Sequence, residues 1–303
     1  MVDMGAQSWV KRYPFPLPSI RQYLSVIDSP AVTVTVTAVA YLIFLFLLLN
    51  RVSPGEFPQA ADTYADPAAV PANLHVIPNS TGYDGQFYYR YALDPFTREK
   101  VGFGIDVGSP RYRHQRILYP LLAWAASFGE PLLAIYSMIM VNFLALLGIG
   151  WVGGRYAQTV GRHALFGLAF ALFPGFVYTL SRDLVEITEA LMLLVGLLAL
   201  ERNRMAVSAT FLSLAILAKE TALLTAVSLI SERKKWGTAV FPLATYGTWQ
   251  LVMNYWWRYT LESSTAKNIG WPVVGIVQGY RLGYEGERWL LVAGWLALFG
   301  LLV

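Results

Sequence analysis

ILYPLLAWAASF, Ile117 to Phe128, is apolar but only twelve residues long. A helix needs about 20 residues to cross the hydrocarbon core of a bilayer, so this segment falls short. Its status fixes the side of a membrane on which every later turn lies. If it crossed, Arg155, Arg162 and His163 would lie outside, followed by Glu201, Arg202 and Arg204 two spans later. That arrangement opposes the preference of Arg and Lys for the cytoplasmic side. In the interface, or re-entering, the segment restores the preference, and we expect it not to cross.

Composition is what brings a membrane into the reading. Of the 303 residues, 56% are hydrophobic and 14% charged, and the mean hydropathy is +0.46. A soluble domain cannot cover that much apolar surface, so the expected class is all-α, a polytopic transmembrane helical protein. The net charge of +4 and pI of about 9.2 would suit nucleic acid. The basic residues fall in short clusters between apolar runs, however, so positive-inside placement accounts for them and no nucleic-acid partner is expected. The chain has no Cys, and His75, His114 and His163 are scattered. Neither a disulfide framework nor a Cys/His metal site is expected.

Upstream, residues 1–30 read as a cytoplasmic leader without a cleavable signal peptide, because the first apolar run begins late and is long enough to span. That run, Ala31–Leu49, opens on VTVTVT. The period of two would mark a strand in a soluble protein, yet so long an uncharged run reads as a helix. It is taken as the first span, running outward, with residues 31–303 forming the transmembrane domain. Residues 50–116 become the first external loop: Ser53–Pro78 a loosely ordered excursion, Gly82 onward an ordered site.

Downstream, spans are expected near Leu132–Trp151, Ala164–Leu180, Leu184–Leu200, Met205–Ala218, Thr221–Ser231, Thr238–Asn254 and Trp289–Val303. With the first, these make about eight. The turns Arg155–His163, Glu201–Arg204 and Glu232–Lys235 then face the cytoplasm. Thr179–Glu186, Lys219–Thr221 and Tyr255–Arg288 share the outer side with the first loop. In the last of these, Tyr255, Trp256, Trp257, Tyr259 and Trp271 read as an interfacial aromatic belt.

The chemistry concentrates in GYDGQFYYRYALDP (Gly82–Pro95) and RYRHQRILYP (Arg111–Pro120). Gly82 and Gly85 bracket Asp84 and let the backbone turn tightly. Asp84 is then either the N-cap of an interfacial helix, with Phe87, Tyr88 and Tyr91 at interface depth, or a catalytic carboxylate. Arg182, Glu186 and Glu189 share a helical face, and an internal Arg182–Glu186 pair is the plain reading there. For Lys219 and Glu220 the plain reading is a snorkelling pair at a helix end. Their placement on one side with Asp84, Arg111, Arg113, His114 and Arg116 favours an anionic substrate, phosphate above all, which Arg binds bidentately.

Together these elements resemble the GT-C superfamily of integral-membrane glycosyltransferases. The likeness covers roughly Ala31–Asn254. It rests on Asp84 early in the first loop, the aromatic helix after it, Arg116 ahead of Tyr119-Pro120-Leu121-Leu122, the Ser181-Arg182-Asp183 turn with Glu186, and Lys219-Glu220-Thr221. The nearest likenesses are bacterial proteins of cell-surface glycopolymer formation and, more distantly, lipid-phosphate-mannose-dependent mannosyltransferases. The resemblance implies transfer of a sugar, with inversion, from a polyprenyl-phosphate donor to a glycan or lipid acceptor. The reaction would take place on the external face of a multi-pass protein of the inner (plasma) membrane.

It further implies Asp84 as general base and Arg113, Arg116 and Lys219 as holders of the donor phosphate. Tyr83, Gln86, His114, Arg182, Asp183, Glu186 and Glu220 would touch sugar or acceptor or support those that do. Asp94 or Asp106 would be a second acid. No cofactor is expected, with Mg²⁺ or Mn²⁺ on carboxylates left open. Two other classes stay in view: a lipid-linked sugar translocator, and a non-catalytic subunit of a surface-polymer assembly complex, which would tolerate Asp84→Asn. The topology has its own check. A reporter fused after Arg204 is expected on the cytoplasmic side, and its appearance outside would overturn the span assignment.

Overall fold

The computed structural model describes residues 28–231 and 235–259. Contacts divide the chain into Met1–Arg258 and Tyr259–Val303, and every contact given below lies within the first unit. The leader before residue 28, most of the Glu232–Lys235 turn, the aromatic loop beyond Tyr259 with Trp271, and the expected span Trp289–Val303 lie outside the described residues. Helix accounts for 67% of the structure and strand for 4%, so the fold is all-α.

Helix α1, Pro30–Leu49, starts with Pro30 in the first turn and the Ser29 hydroxyl accepting from the Ala31 amide, a favourable N-terminus. Its VTVTVT opening resolves in favour of the helical period. Thr33, Thr37, Tyr41 and Leu45 recur every four residues and are buried. The Thr37 hydroxyl donates to the Thr33 carbonyl at 2.8 Å, and Thr33 donates to the Ala164 carbonyl at 3.1 Å. The opposite face, with Val39, Leu42, Ile43, Phe46 and Leu47, is exposed. Helix α5, Pro131–Thr159, packs against this threonine stripe. A Cβ on Gly150 would stand 2.8 Å from the Thr37 hydroxyl, so glycine there is what lets the two helices approach. These two helices are long and apolar enough to cross a membrane.

The 50–116 segment is more ordered than its composition suggests. Glu56 accepts from the Ser53 amide at 3.0 Å. Strand β1 (Ala60–Ala61) pairs in parallel with β2 (Val76–Ile77). The Asp62 carboxylate collects the amides of Asn79 and Ser80 at 2.6 and 3.2 Å. Phe57, Ala60, Ala61 and Ala65 are buried, so the expected loose excursion is instead a packed cap. Its small side chains let the backbone come close to the next helix.

That helix, α2 (Gly85–Leu93), is the second correction. All nine of its residues are buried, so it is an internal helix rather than an interfacial one. Tyr88, Tyr89 and Ala92 pack with Tyr119, Ile135, Met138, Leu184 and Val185 in the largest buried cluster. A short antiparallel pair follows, β3 (Val101–Gly102) with β4 (Ile105–Asp106), and then α3, Pro110–His114.

Helix α4, Leu118–Ala126, has nine residues and is about 13 Å long at 1.5 Å per residue. Such a helix is too short to cross alone. The expected span Ala164–Leu180 is not one helix. It divides into a 3₁₀ turn (Ala164–Gly167), α6 (Leu168–Ala171) and α7 (Pro174–Leu180). Pro174 lacks the amide that would continue the helix, and Phe173 before it is extended at ψ 124°.

Helices α8 (Glu186–Glu201) and α9 (Met205–Ala218) pack on one another, and α9 also packs on α11 (Trp236–Trp256). Between α9 and α11 the expected span Thr221–Ser231 is also interrupted. A 3₁₀ turn at Glu220–Ala222 leads to α10 (Leu223–Ser228) and a second 3₁₀ turn at Leu229–Ser231. Lys219 ends α9 in an extended conformation, φ −158° and ψ 136°.

Candidate functional site

Two close backbone approaches set Asp84 in place. Gly82 has φ +65°, and a Cβ on it would lie 2.3 Å from the Gln59 carbonyl oxygen. A Cβ on Gly85 would lie 2.2 Å from the carbonyl oxygen of Arg182. Only glycine permits both contacts, and they pin Tyr83 and Asp84 between the 53–78 cap on one side and the 181–185 turn on the other. Asp84 holds the N-cap position of α2 but its side chain caps nothing. Its carboxylate, 45% exposed, instead points to Arg116, with Oδ2 3.7 Å from Nη1.

Arg116 is the centre of the polar cluster. Its side chain is 8% exposed. Nε donates to Glu220 Oε2 at 2.9 Å and Nη2 to Oε1 at 2.5 Å, a bidentate fork across 104 positions of sequence. Nη1 donates to the Tyr88 hydroxyl at 2.9 Å, and Nη2 also reaches the Tyr112 hydroxyl at 2.8 Å. Burial pushes the Glu220 carboxyl up, but the hydrogen bonds and charge of Arg116, with smaller help from a backbone amide and Lys219, together hold it below the usual carboxylate range. Arg116, expected on the donor phosphate, thus has four of its five N–H hydrogens engaged; only one on Nη1, 3.7 Å from Asp84, is left, and an anion bound in a bidentate fork would have to displace Glu220.

Lys219 and Glu220 do not form a snorkelling pair. Lys219 reaches Glu186, Nζ to Oε1 at 2.6 Å, while the second oxygen of Glu186 is buried without a hydrogen-bond partner. Thr221 donates to Glu189. The plain Arg182–Glu186 pair is therefore absent. The Arg182 guanidinium lies 3.5 Å over the ring of Tyr178 and 5.7 Å from that of Tyr83, a cation–π contact that leaves Glu186 to the lysine.

Asp84 also opens into a cavity of about 390 Å³ lined by Tyr64, Thr81, Tyr83, Gln86, Phe87 and Arg113, among others. Arg113 sits 3.2 Å over the Phe87 ring and donates to the Val107 carbonyl. Tyr83 is exposed and packs edge-on against Tyr178. Asp84, Tyr83 and Arg113 thus share one cavity, with Arg116 and Glu220 behind the carboxylate.

Other expected residues serve the frame. Gln86 lines the cavity, but its Oε1 accepts from the Ala61 amide at 3.2 Å and its Nε2 donates to the Thr81 and Tyr83 carbonyls at 3.0 Å each. It fastens the cap to α2. Asp183 is fully buried against Tyr119. Asp94 accepts from the Phe96 amide, and Asp106 pairs with Lys100 at 3.1 Å, so both acids stabilise turns, and neither lines the cavity with Asp84. Among the described residues no three His, Asp or Glu side chains converge as metal ligands would.

Tyr64, Tyr112 and Tyr178 are not singled out by the sequence, and Tyr88, expected at interface depth, instead accepts from Arg116. Only Tyr112 carried a usable signal, four residues ahead of Arg116.

His114 lies outside the lining of the Asp84 cavity. It is buried, stacked on Tyr91 with ring centroids 4.2 Å apart, and both ring nitrogens are engaged. Trp257 Nε1 donates to Nδ1 at 3.1 Å, so Nε2 carries the proton and donates to the Pro95 carbonyl at 2.9 Å. It clamps α3, which carries Arg113, to the end of α11.

No family model, curated protein or solved structure matches the chain.

The clamp has a pH signature. Burial pulls the imidazole down to about 4 from its ordinary 6.5. The folded state prefers neutral His114, so its contribution is complete above pH 6.5 and is lost as pH falls from there through about 4. In thermal melts of wild type and His114→Phe, the gap between the curves is expected to close across that window. Parallel curves would contradict the clamp.

Proposed function

We propose that the chain is a multi-pass membrane glycosyltransferase of GT-C type. In this reading it moves a sugar from a polyprenyl-phosphate donor to a glycan or lipid acceptor at the external face of the inner (plasma) membrane, with inversion. About eight spans with a cytoplasmic N-terminus complete the picture. The observation that carries it is the position of Asp84, a half-exposed carboxylate that opens onto a cavity shared with Arg113 and is backed by the Arg116–Glu220 fork.

The step is a displacement. An acceptor hydroxyl attacks the anomeric carbon as Asp84 takes its proton. The bond from that carbon to the phosphate oxygen breaks, and the phosphate leaves with the electron pair. A positioned base of this kind contributes about 10²–10⁴-fold. Arg113 stabilises charge on the departing phosphate, and Lys219, ion-paired with Glu186 at 2.6 Å and outside the cavity lining, is a further cation nearby in the polar cluster. Arg116 changes role from phosphate holder to positioner of Asp84.

Support for a lipid-borne substrate comes from two apolar cavities on α9 and α11. One, about 350 Å³, is lined by Met205, Ala209 and Thr238. The other, about 370 Å³, is lined by Leu217 and Trp249, and both include Phe241. The second ends beside the polar cluster: Leu217 precedes Lys219 by two residues, and Trp249 donates to the Gln115 carbonyl at 3.0 Å. The exposed apolar face of α1 agrees with a lipid surround.

A translocator is the second reading, favoured by the interruptions at 172–173 and 219–222. Broken helices are where transporters place their sites.

The deciding test is glycosyl transfer by purified protein in liposomes, with a panel of polyprenyl-phosphate sugars, for wild type and Asp84→Asn. Acceptor-dependent release of polyprenyl phosphate is expected, falling by about 10²-fold or more in the variant. Equal turnover by both would remove Asp84 as base. Movement of lipid-linked sugar across the bilayer without product would favour the translocator.

A further inference from the structure

Beneath the site, three elements meet at one phenol. The Tyr119 hydroxyl oxygen, from α4, lies 2.9 Å from Asn142 Nδ2 and 3.1 Å from the Met138 carbonyl, both on α5, and 3.3 Å from Asp183 Oδ1. Asn142 Nδ2 also donates to the Leu184 carbonyl at 3.0 Å. The hydrogens can be counted. Asn142 uses one on Leu184 and one on Tyr119. The single phenolic hydrogen has two acceptors in reach, the Met138 carbonyl at 3.1 Å and Asp183 Oδ1 at 3.3 Å, and it can serve only one. With that hydrogen on Met138, the nearer of the two, the contact between Tyr119 and Asp183 is two oxygens without a hydrogen unless the carboxyl brings its own.

Asp183 itself is fully buried, and its Oδ2 has no hydrogen-bond partner. The neighbouring Arg182 does not neutralise it, since that guanidinium lies over Tyr178. Glu186, the other ionisable group felt at Tyr119, is ion-paired with Lys219. An ionised carboxylate so placed would be desolvated and uncompensated.

We propose that Asp183 is held as a neutral carboxylic acid donating to Tyr119, and that this latch positions the 182–186 turn against Gly85 beside Asp84. Burial raises its carboxyl well above the usual carboxylate range, which agrees with the count. The backbone explains why the latch sits here. Asp183 has φ +49°, a left-handed conformation that Asp and Asn tolerate better than most residues. That bend presents the Arg182 carbonyl to Gly85, where a Cβ would come within 2.2 Å. Asp183 is thus a positioning residue, and the inference rests on packing and hydrogen count rather than on the transfer reaction.

Two measurements that need no turnover test it. Infrared spectra of the full chain in detergent at pH 8 should contain a protonated-carboxyl C=O band that shifts in D₂O and is missing in Asp183→Asn. In hydrogen exchange, Asp183→Asn keeps a donor for Tyr119 and should protect residues 179–189 and 82–88 to within about threefold of wild type. Asp183→Gly relieves φ but removes the donor, and should speed exchange there by about tenfold, the order expected for one lost buried hydrogen bond. Identical infrared spectra for wild type and Asp183→Asn would overturn the proposal. So would Asn exchanging as fast as Gly. If Asp183→Gly fails to fold, the infrared comparison still decides.

Discussion

The fork between Arg116 and Glu220 is the contact on which the rest of the polar architecture depends. It joins the end of the 50–116 segment to the turn after α9, across 104 positions of sequence. A buried guanidinium costs several kcal/mol to desolvate unless its donors are met. Here Glu220, Tyr88 and Tyr112 meet four of the five. Removing any one would leave an unsatisfied donor in a poorly hydrated setting, so the cluster holds together as a unit. Asp84, at 3.7 Å, is the loosest of its neighbours and the most exposed, which is what leaves it able to meet a ligand.

Glycine supplies the complementary constraint. Gly82 and Gly85 allow the cap and the 181–185 turn to close on Asp84 from two sides. A carboxylate at a helix N-terminus ordinarily turns back onto the first amides. Asp84 does not, because its own φ and ψ, −62° and −23°, are already helical. Its side chain is thereby directed toward Arg116 and the cavity. The same closure buries α2 on all sides and converts an aromatic run suited to an interface into a core helix.

Much of the helical frame is legible in local sequence. Ala31–Leu49 and Met205–Ala218 declare themselves by length and hydropathy, and Ile117–Phe128 by its shortness. The interruption at Pro174 follows from proline chemistry and is legible in the sequence. What local spacing cannot carry is choice of partner. Arg182 and Glu186 stand four apart, yet one prefers the Tyr178 ring and the other Lys219, 33 positions away. His114 looks like chemistry until Trp257, 143 positions distant, takes its Nδ1. The order in Ser53–Pro78 was hidden for a related reason: Ala60, Ala61 and Ala65 matter for being small against α2, which hydropathy does not register.

The most direct test of the fork is a double-mutant cycle on folding stability in detergent, with Arg116→Met, Glu220→Gln and the pair. Contacting residues in a shared network couple by about 0.5–3 kcal/mol, and exposed ion pairs by about 0.2–1 kcal/mol. For a fork this enclosed the coupling should exceed about 1.5 kcal/mol, the double variant losing less than the sum of the two single ones. Additive losses, with coupling below about 0.5 kcal/mol, would mean that Arg116 and Glu220 do not hold the site together.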